Sequence, residues 1–271
     1  MICRTATLDE LKTVLCWADE EGWNAGADDA PAFYAADPDG FFVAEVDGEL
    51  VASISVVNHT EDFAFLGLYI CRPDHRGKGL GFALWQHALR HAGTRTVGLD
   101  GVPDQQANYA ASGFVWAGET RRFEGDVGGV PSGRVRIAGS EDVRKLTERE
   151  AEVTGVAKTS FNAKWFERVE TRTTFVLGSS VAFATARQCQ AGTKIGPLIA
   201  ETVEQAEALI RHIASSFPAP IIIDVPTGSE ALAEWCDAQE MTVSFGTARM
   251  YRGTPPVTRP AVSAVSTLEL G

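Results

Sequence analysis

Apolar residues recur at helical spacing at Leu8, Leu11, Val14, Leu15 and Ala18, and Thr7 with Glu10 just ahead of them has the form of a capping box. The chain is therefore expected to open with an amphipathic helix that ends near Gly22. The period then drops to two. Gly40 to Val46 and Val51 to Val57 read as strands joined by a tight Asp47-Gly48 turn. The run Phe63 to Cys71, FAFLGLYIC, is apolar on both faces, as suits a buried central strand. Beyond it, RPDHRGKGLGFALWQHALRHA turns through glycines into a helix whose core face carries Leu80, Leu84, Trp85 and Leu89. Thr96 to Asp100 then reads as a strand, Asp104 to Ala111 as a short helix stopped by Gly113, and Phe114 to Phe123 as one or two closing strands.

The stretch GDVGGVPSG, Gly125 to Gly133, has the composition of a linker, and a β-then-α pattern restarts at Arg134. Parts of the first half return in the second. LDGVP at Leu99 to Pro103 recurs as IDVP at Ile223 to Pro226, and RRFEG at Arg121 to Gly125 recurs as RMYRG at Arg249 to Gly253. Pro73 precedes Asp100 by 27 residues and Pro197 precedes Asp224 by 27, with an amphipathic helix in each interval. The expected architecture is α/β, a duplicated mixed-sheet unit: one domain over residues 1–126, a second over 134–253 and a tail over 254–271. Pro255, Pro256 and Pro260 keep the start of that tail irregular, and its end, VSTLELG, is expected to dock as a strand or fray.

Composition narrows the partners. With 24 basic and 36 acidic residues, a net charge of −12, the chain lacks the basic face that nucleic acid or an anionic membrane would need, so any anion site must be local. Five scattered cysteines, none in a CxxC or Cys/His cluster, point to a reducing cytoplasm and to no structural zinc or other metal site. No targeting signal is visible, and no apolar run approaches a membrane span.

The local site is Arg76-Gly77-Lys78-Gly79-Leu80-Gly81, set between an apolar strand and an apolar-faced helix. Glycines let several N–H groups converge on one anion, and the helix N-terminus adds unpaired donors and the positive end of its dipole. Arg72, His75, Arg76 and Lys78 supply positive charge. The spacing is neither GxxxxGK[ST] nor GxGxxG, since Phe82 stands where the last glycine would be.

With Arg76, Gly79 and Gly81 meeting [Q/R]xxGx[G/A] directly after a central strand, the sequence resembles the GNAT acyltransferase superfamily over about its first 125 residues. The resemblance implies tandem GNAT-like domains, the second lacking the CoA phosphate loop, and acetyl-CoA as cosubstrate. Main-chain groups near Ile70 and Cys71 would pair with the pantetheine arm. Those of Arg76, Gly77, Lys78, Gly79, Leu80, Gly81 and Phe82 would hold the diphosphate. Cys71 is expected to serve as a small buried residue rather than a nucleophile.

Tyr109, four residues before Gly113-Phe114, matches the tyrosine with which the family often protonates the departing thiolate; packing on the core face is its alternative role. The CoA-contacting asparagine common in the family would fall on Val102, with Asn108 available instead. Asp100 is the candidate base, or else a helix cap, as Asp224 in the matching place of the second half suggests. Trp23, Asn24 and Tyr69 are expected to line the acceptor cleft. The acidic Glu20 to Tyr34 segment there suits a cationic amine or forms a solvated loop.

In the second half Ala200-Glu201-Thr202-Val203-Glu204-Gln205 replaces the glycine loop, its carboxylates oppose a diphosphate, and Thr202 with Gln205 forms a capping box; this half is expected either to serve stability or to wall the acceptor cleft, helped by the tail from Thr254 to Gly271. The expected activity is direct transfer of an acetyl group from acetyl-CoA to a primary amine, on a small molecule or a peptide. The alternative is a non-catalytic acyl-CoA-binding or sensing protein. Whether the chain forms a homodimer is left open.

Overall fold

The Thr7 side chain accepts from the Glu10 amide and Glu10 answers at the Thr7 amide, so the capping box starts α1 (Leu8–Glu20) where the sequence predicts it. The structure, a computed structural model, describes residues 1–178 and 182–271. A strand that periodicity does not mark, β1 (Ile2–Thr5), precedes α1, and a helix, α2 (Asp29–Ala36), lies inside the acidic segment. Next come β2 (Phe41–Val46), a turn with positive φ at Asp47 and Gly48, β3 (Glu49–Asn58) and β4 (Phe63–Cys71). The half continues with α3 (Leu80–Ala88), β5 (Thr96–Gly101), α4 (Gln106–Ala111) and β6 (Val115–Gly125), the last a single strand.

The second half runs β7 (Val135–Ile137), α5 (Val143–Thr154), α6 (Thr159–Trp165), β8 (Arg172–Leu177), β9 (Ala182–Gln188) and β10 (Thr193–Ala200). It ends with α7 (Val203–Ala214), β11 (Ile221–Pro226), α8 (Glu230–Ala238), β12 (Thr242–Arg252) and, in the tail, β13 (Val262–Ala264). No helix among the described residues is long and apolar enough to cross a membrane.

The described strands form one sheet in the order β1-β2-β3-β4-β5-β12-β6-β11-β10-β9-β8-β7, with β13 alongside β10. Its centre is a strand exchange. β6 does not close onto β5 of its own half; it pairs antiparallel with β11, while β12 pairs antiparallel with β5, and β6 and β12 lie side by side. Each half thus completes its sheet with the other's last long strand.

Among the described residues three large apolar clusters, and a small one of Phe63, Phe65 and Val156, hold these layers. One, around Phe33, Leu68, Phe161, Trp165 and Leu270, joins α1 and α2 to α5, α6 and the tail across the two halves. A second packs Leu84 and Trp85 of α3 and Tyr109 of α4 on β3 to β5. The third packs α7 and α8 on β9 to β11.

Candidate active site

β4 and β5 run parallel from Phe63↔Thr96 to Leu66↔Leu99 and pair no further, so the two strands open into a cleft at their C-terminal ends. At the same place β4 is bulged against β3 between Ile70↔Ser53 and Gly67↔Ser55, and Leu68 takes a left-handed φ of 46° although buried. Non-glycine backbone held in that region is typical of functional sites. A 3-10 turn over Pro73–His75 leads from β4 into the glycine loop. Gly77 and Gly79 have φ of 74° and 77°, conformations an L side chain rarely adopts, and each has open space on its Cβ side. Gly79 caps α3 with no side-chain partner for the helix's first amides, and Arg76, Gly77, Lys78 and Phe82 are exposed around it. A crown of amides that no side chain caps, at a helix N-terminus and at the mouth of a cleft, fits an anionic ligand.

Inside the cleft the structure gathers residues distant in sequence. A cavity of about 50 Å³ is lined by Trp23, Tyr69, Asp100, Tyr109, Phe245 and Glu269, among others. Tyr69 packs edge-on to Trp85 (5.4 Å), and Trp85 stacks on Tyr109 (5.6 Å between centroids). Two glycines make room for these rings: a Cβ on Gly81 would stand 2.9 Å from the Tyr69 hydroxyl, and one on Gly101 2.7 Å from the Tyr109 ring. Burial pushes the phenols of Tyr69 and Tyr109 up from their ordinary value, Tyr109 the further. Burial likewise raises the Cys71 thiol, against the pull of Arg76, which suits a structural cysteine.

Several expected roles are redirected by contacts across the fold. Asp100 borders the cavity, but its carboxylate accepts two hydrogen bonds from Arg249, Nε to Oδ1 at 2.8 Å and Nη2 to Oδ2 at 2.7 Å, so it is not a free base. Nor does it cap α4. Asp224 in the second half is held in the same way by Arg122, at 2.7 and 3.0 Å. Asn24 turns from the cleft to bind both main-chain groups of Ala191, at 2.8 and 3.0 Å. Within the acidic segment Glu20 and Glu21 are exposed, whereas Asp28 and Asp29 face protein: Asp28 accepts from Thr171 and Arg172, and Asp29 pairs with Arg187. Arg76 folds back onto the Cys71 carbonyl (Nε to O, 2.8 Å) and the Glu21 carboxylate, so its contribution to an anion is through its main chain. The Asn108 side chain lies on the exposed face of α4, bound to Gln105 at 2.9 Å.

The second half shows why one cleft suffices. β10 and β11 also pair in parallel and then part, but there β13 pairs with β10 over Leu198↔Ala264 to Ala200↔Val262, and the Val265 amide donates to the Asp224 carbonyl of β11 (3.0 Å). The tail fills the opening. Thr202 caps α7 as expected, while Gln205 bonds the Glu201 amide instead of closing the box on Thr202. A larger cavity, about 480 Å³, lies on this side, lined by Pro197, Glu150, Lys158 and tail residues including Pro255 and Pro260, away from the glycine loop.

From β13 the tail runs on to the first half's cleft. Lys158 holds the Ser266 hydroxyl (2.9 Å) and the Gly271 carbonyl, Leu270 is fully buried, and the His59 Nε2 meets the Leu270 carbonyl at 2.8 Å. The Glu269 carbonyl lies so close to Gly67 that any Cβ there would collide with it. A tail that helps wall the cleft is expected from the sequence, but neither Glu269 nor Phe245 is singled out by it; the one available signal is Gly67, a lone glycine inside a strand, which marks a bulge or a close backbone approach.

Residues 8–114 match the model of the acetyltransferase (GNAT) family, and residues 145–262 that of an acetyltransferase (GNAT) domain. The chain is 33% identical over 277 residues to the holothin acyltransferase of Pseudoalteromonas sp. (strain SANK 73390), covering 99% of this chain and 94% of that one. Among solved structures it is similar to a proposed acetyltransferase from Pyrococcus horikoshii, with a TM-score of 0.84 at 18% identity over 100% of this chain and 95% of that one. It is also similar to a tandem GNAT protein from the clavulanic acid biosynthesis pathway, with a TM-score of 0.61 at 14% identity over 95% and 99% of the two chains. At those identities the structures speak to the fold alone.

Proposed function

The chain belongs to the GNAT acetyltransferase family as a tandem-domain acyltransferase, and on that premise we propose that its first half transfers an acetyl group from acetyl-CoA to a primary amine by direct attack. The observation that carries this reading is the glycine crown at Gly77 and Gly79, which follows β4 at the mouth of the β4/β5 cleft, with Tyr109 among the residues that line the cavity in that cleft. The crown's amides suit the donor's diphosphate, and the unpaired edge of β4 beyond Leu66 suits an extended amide-bearing arm. Tyr109, kept protonated by burial, gives its proton to the leaving thiolate in this reading. Much of the acceleration then comes from holding the amine against the thioester. The relative's name supports acyl transfer.

Calorimetric titration with acetyl-CoA tests the reading. One site per chain is expected, lost in Gly79→Asp, which strains a residue at φ 77° and sets a negative charge among the crown amides. Two sites would contradict a second half closed by the tail, and no binding would overturn the proposal.

A further inference from the structure

Glu269 is 4% exposed, and its Oε2 has no hydrogen-bond partner among the described residues. The other buried carboxylates there are all ion-paired: Asp29 with Arg187, Asp142 with Arg136, Glu150 with Lys158 and Asp224 with Arg122. A buried carboxylate left without a partner costs stability, and one that persists calls for an explanation. Glu269 is also placed with care: its main chain is pressed against Gly67, and the tail is pinned on both sides by Lys158 to Ser266 and by His59 to Leu270. Glu269 is among the residues that line the cavity with Tyr109, Tyr69 and Trp23.

We propose that Glu269, carried by the tail into the first half's cleft, binds the acceptor's ammonium group and takes its proton, an inference that rests on the acyl-transfer reading above. Of the first half's carboxylates around the cleft, Asp100 is held by Arg249 and Asp19 accepts from the Ala25 amide, and β4 carries no acidic residue. The ammonium gives one proton to Glu269. The freed lone pair attacks the thioester carbonyl and the C–N bond forms; as the C–S bond breaks, Tyr109 protonates the thiolate and recovers a proton from the new amide nitrogen. Glu269 releases its proton to water, so the products are the amide, the CoA thiol and one proton. Arg122, Arg187 and Lys194 are the cations whose charge reaches Glu269, and Asp19 and Asp100 the carboxylates, all from elements around the cleft. The second half thereby completes the active site of the first through its tail.

Full-length wild type, Glu269→Gln and Glu269→Asp are compared with acetyl-CoA as donor and methylamine, phenethylamine and aniline as acceptors. Glu269→Gln is expected to bind acetyl-CoA as wild type does and to stay folded, since the amide fills the same volume as the carboxylate. Its kcat/KM for methylamine and phenethylamine should fall by about 10²-fold or more near neutral pH and recover as pH rises and the free amine becomes abundant. Aniline, already neutral, should lose little, and Glu269→Asp should restore part of the rate. An active wild type whose Glu269→Gln variant keeps its kcat/KM and pH profile overturns the role of Glu269 and leaves the transferase reading standing. A variant that melts lower and no longer binds acetyl-CoA shows a tail anchor and also overturns it. Wild type that binds no acetyl-CoA, or acetylates none of the three amines, overturns both.

Discussion

Arg249 of β12 donates two hydrogen bonds to Asp100 of β5, joining strands whose paired residues are 149 positions apart. Arg122 of β6 and Asp224 of β11 repeat the contact in the other half, 102 positions apart. The two pairs sit on the exchanged strands, so each fastens one half's closing strand onto the other half's sheet. Sequence alignment of RRFEG with RMYRG matches Arg121 to Arg249. The sheet instead makes Arg122 its counterpart, because Arg122 lies opposite Asp224 in register as Arg249 lies opposite Asp100.

The Arg122–Asp224 pair is the more deeply buried, with side chains 2% and 6% exposed. Asp224→Asn should therefore leave an uncompensated guanidinium and destabilise the whole chain by about 3–5 kcal/mol, read from urea unfolding. The double change Arg122→Met with Asp224→Leu should recover most of that loss. If Asp224→Asn unfolds at the wild-type midpoint, the pair does not fasten the exchange.

Tyr109→Phe should lower kcat by about 10²-fold while acetyl-CoA affinity stays unchanged, because only the leaving-group proton is lost. Burial raises the phenol above its usual value of about 10, so in wild type the acid form persists further into alkaline solution. The wild-type rate should consequently show no phenol-dependent fall below about pH 10. Equal turnover of Tyr109→Phe and wild type across pH would remove the tyrosine from the mechanism.

Gly67→Ala places a methyl group where the Glu269 carbonyl lies. The tail must shift, at a cost of about 1–3 kcal/mol. Transfer to the amine should drop far more than donor binding, since the glycine loop belongs to a different part of β4's exit. Parallel titration and rate measurements on this one variant check the split.

His59 is pulled down to about 4, mainly by burial and further by the Lys158 charge. Unfolded, it would take a proton below about 6.5, whereas the folded form resists until about 4, so the unfolded state gains protons first. Stability is therefore full above about pH 6.5 and falls as the solution is acidified toward 4, by up to about 3 kcal/mol. His59→Gln should flatten that part of the stability profile. The Glu10 carboxyl, held at about 2 chiefly by Arg4, loses its contribution at lower pH and does not confuse the reading.

What could be read from the chain alone is what neighbouring residues decide. Strand β4 spans the same Phe63 to Cys71 that its double-faced apolar run predicts, the Thr7–Glu10 cap opens α1, and the glycine loop adopts the positive φ values that its composition permits. These follow from side-chain periodicity and from steric limits acting over a few residues. The internal repeat is equally local in origin and real in the sheet order, which reads alike from both ends toward the β12–β6 centre.

The exchange of β6 and β12 was not legible, because either closing strand presents a similar alternation to either edge, and only the packing of the whole chain selects between them. For the same reason Asp100 looked free until Arg249 arrived beside it, and Asp28 and Asp29 looked like an acidic surface until Thr171, Arg172 and Arg187 met them. The tail shows the limit most plainly. Its sequence marks an irregular start and a short apolar end. That Val262–Ala264 would fill one cleft and Glu269 enter the other depends on two openings in a sheet that exists only once both halves have folded together.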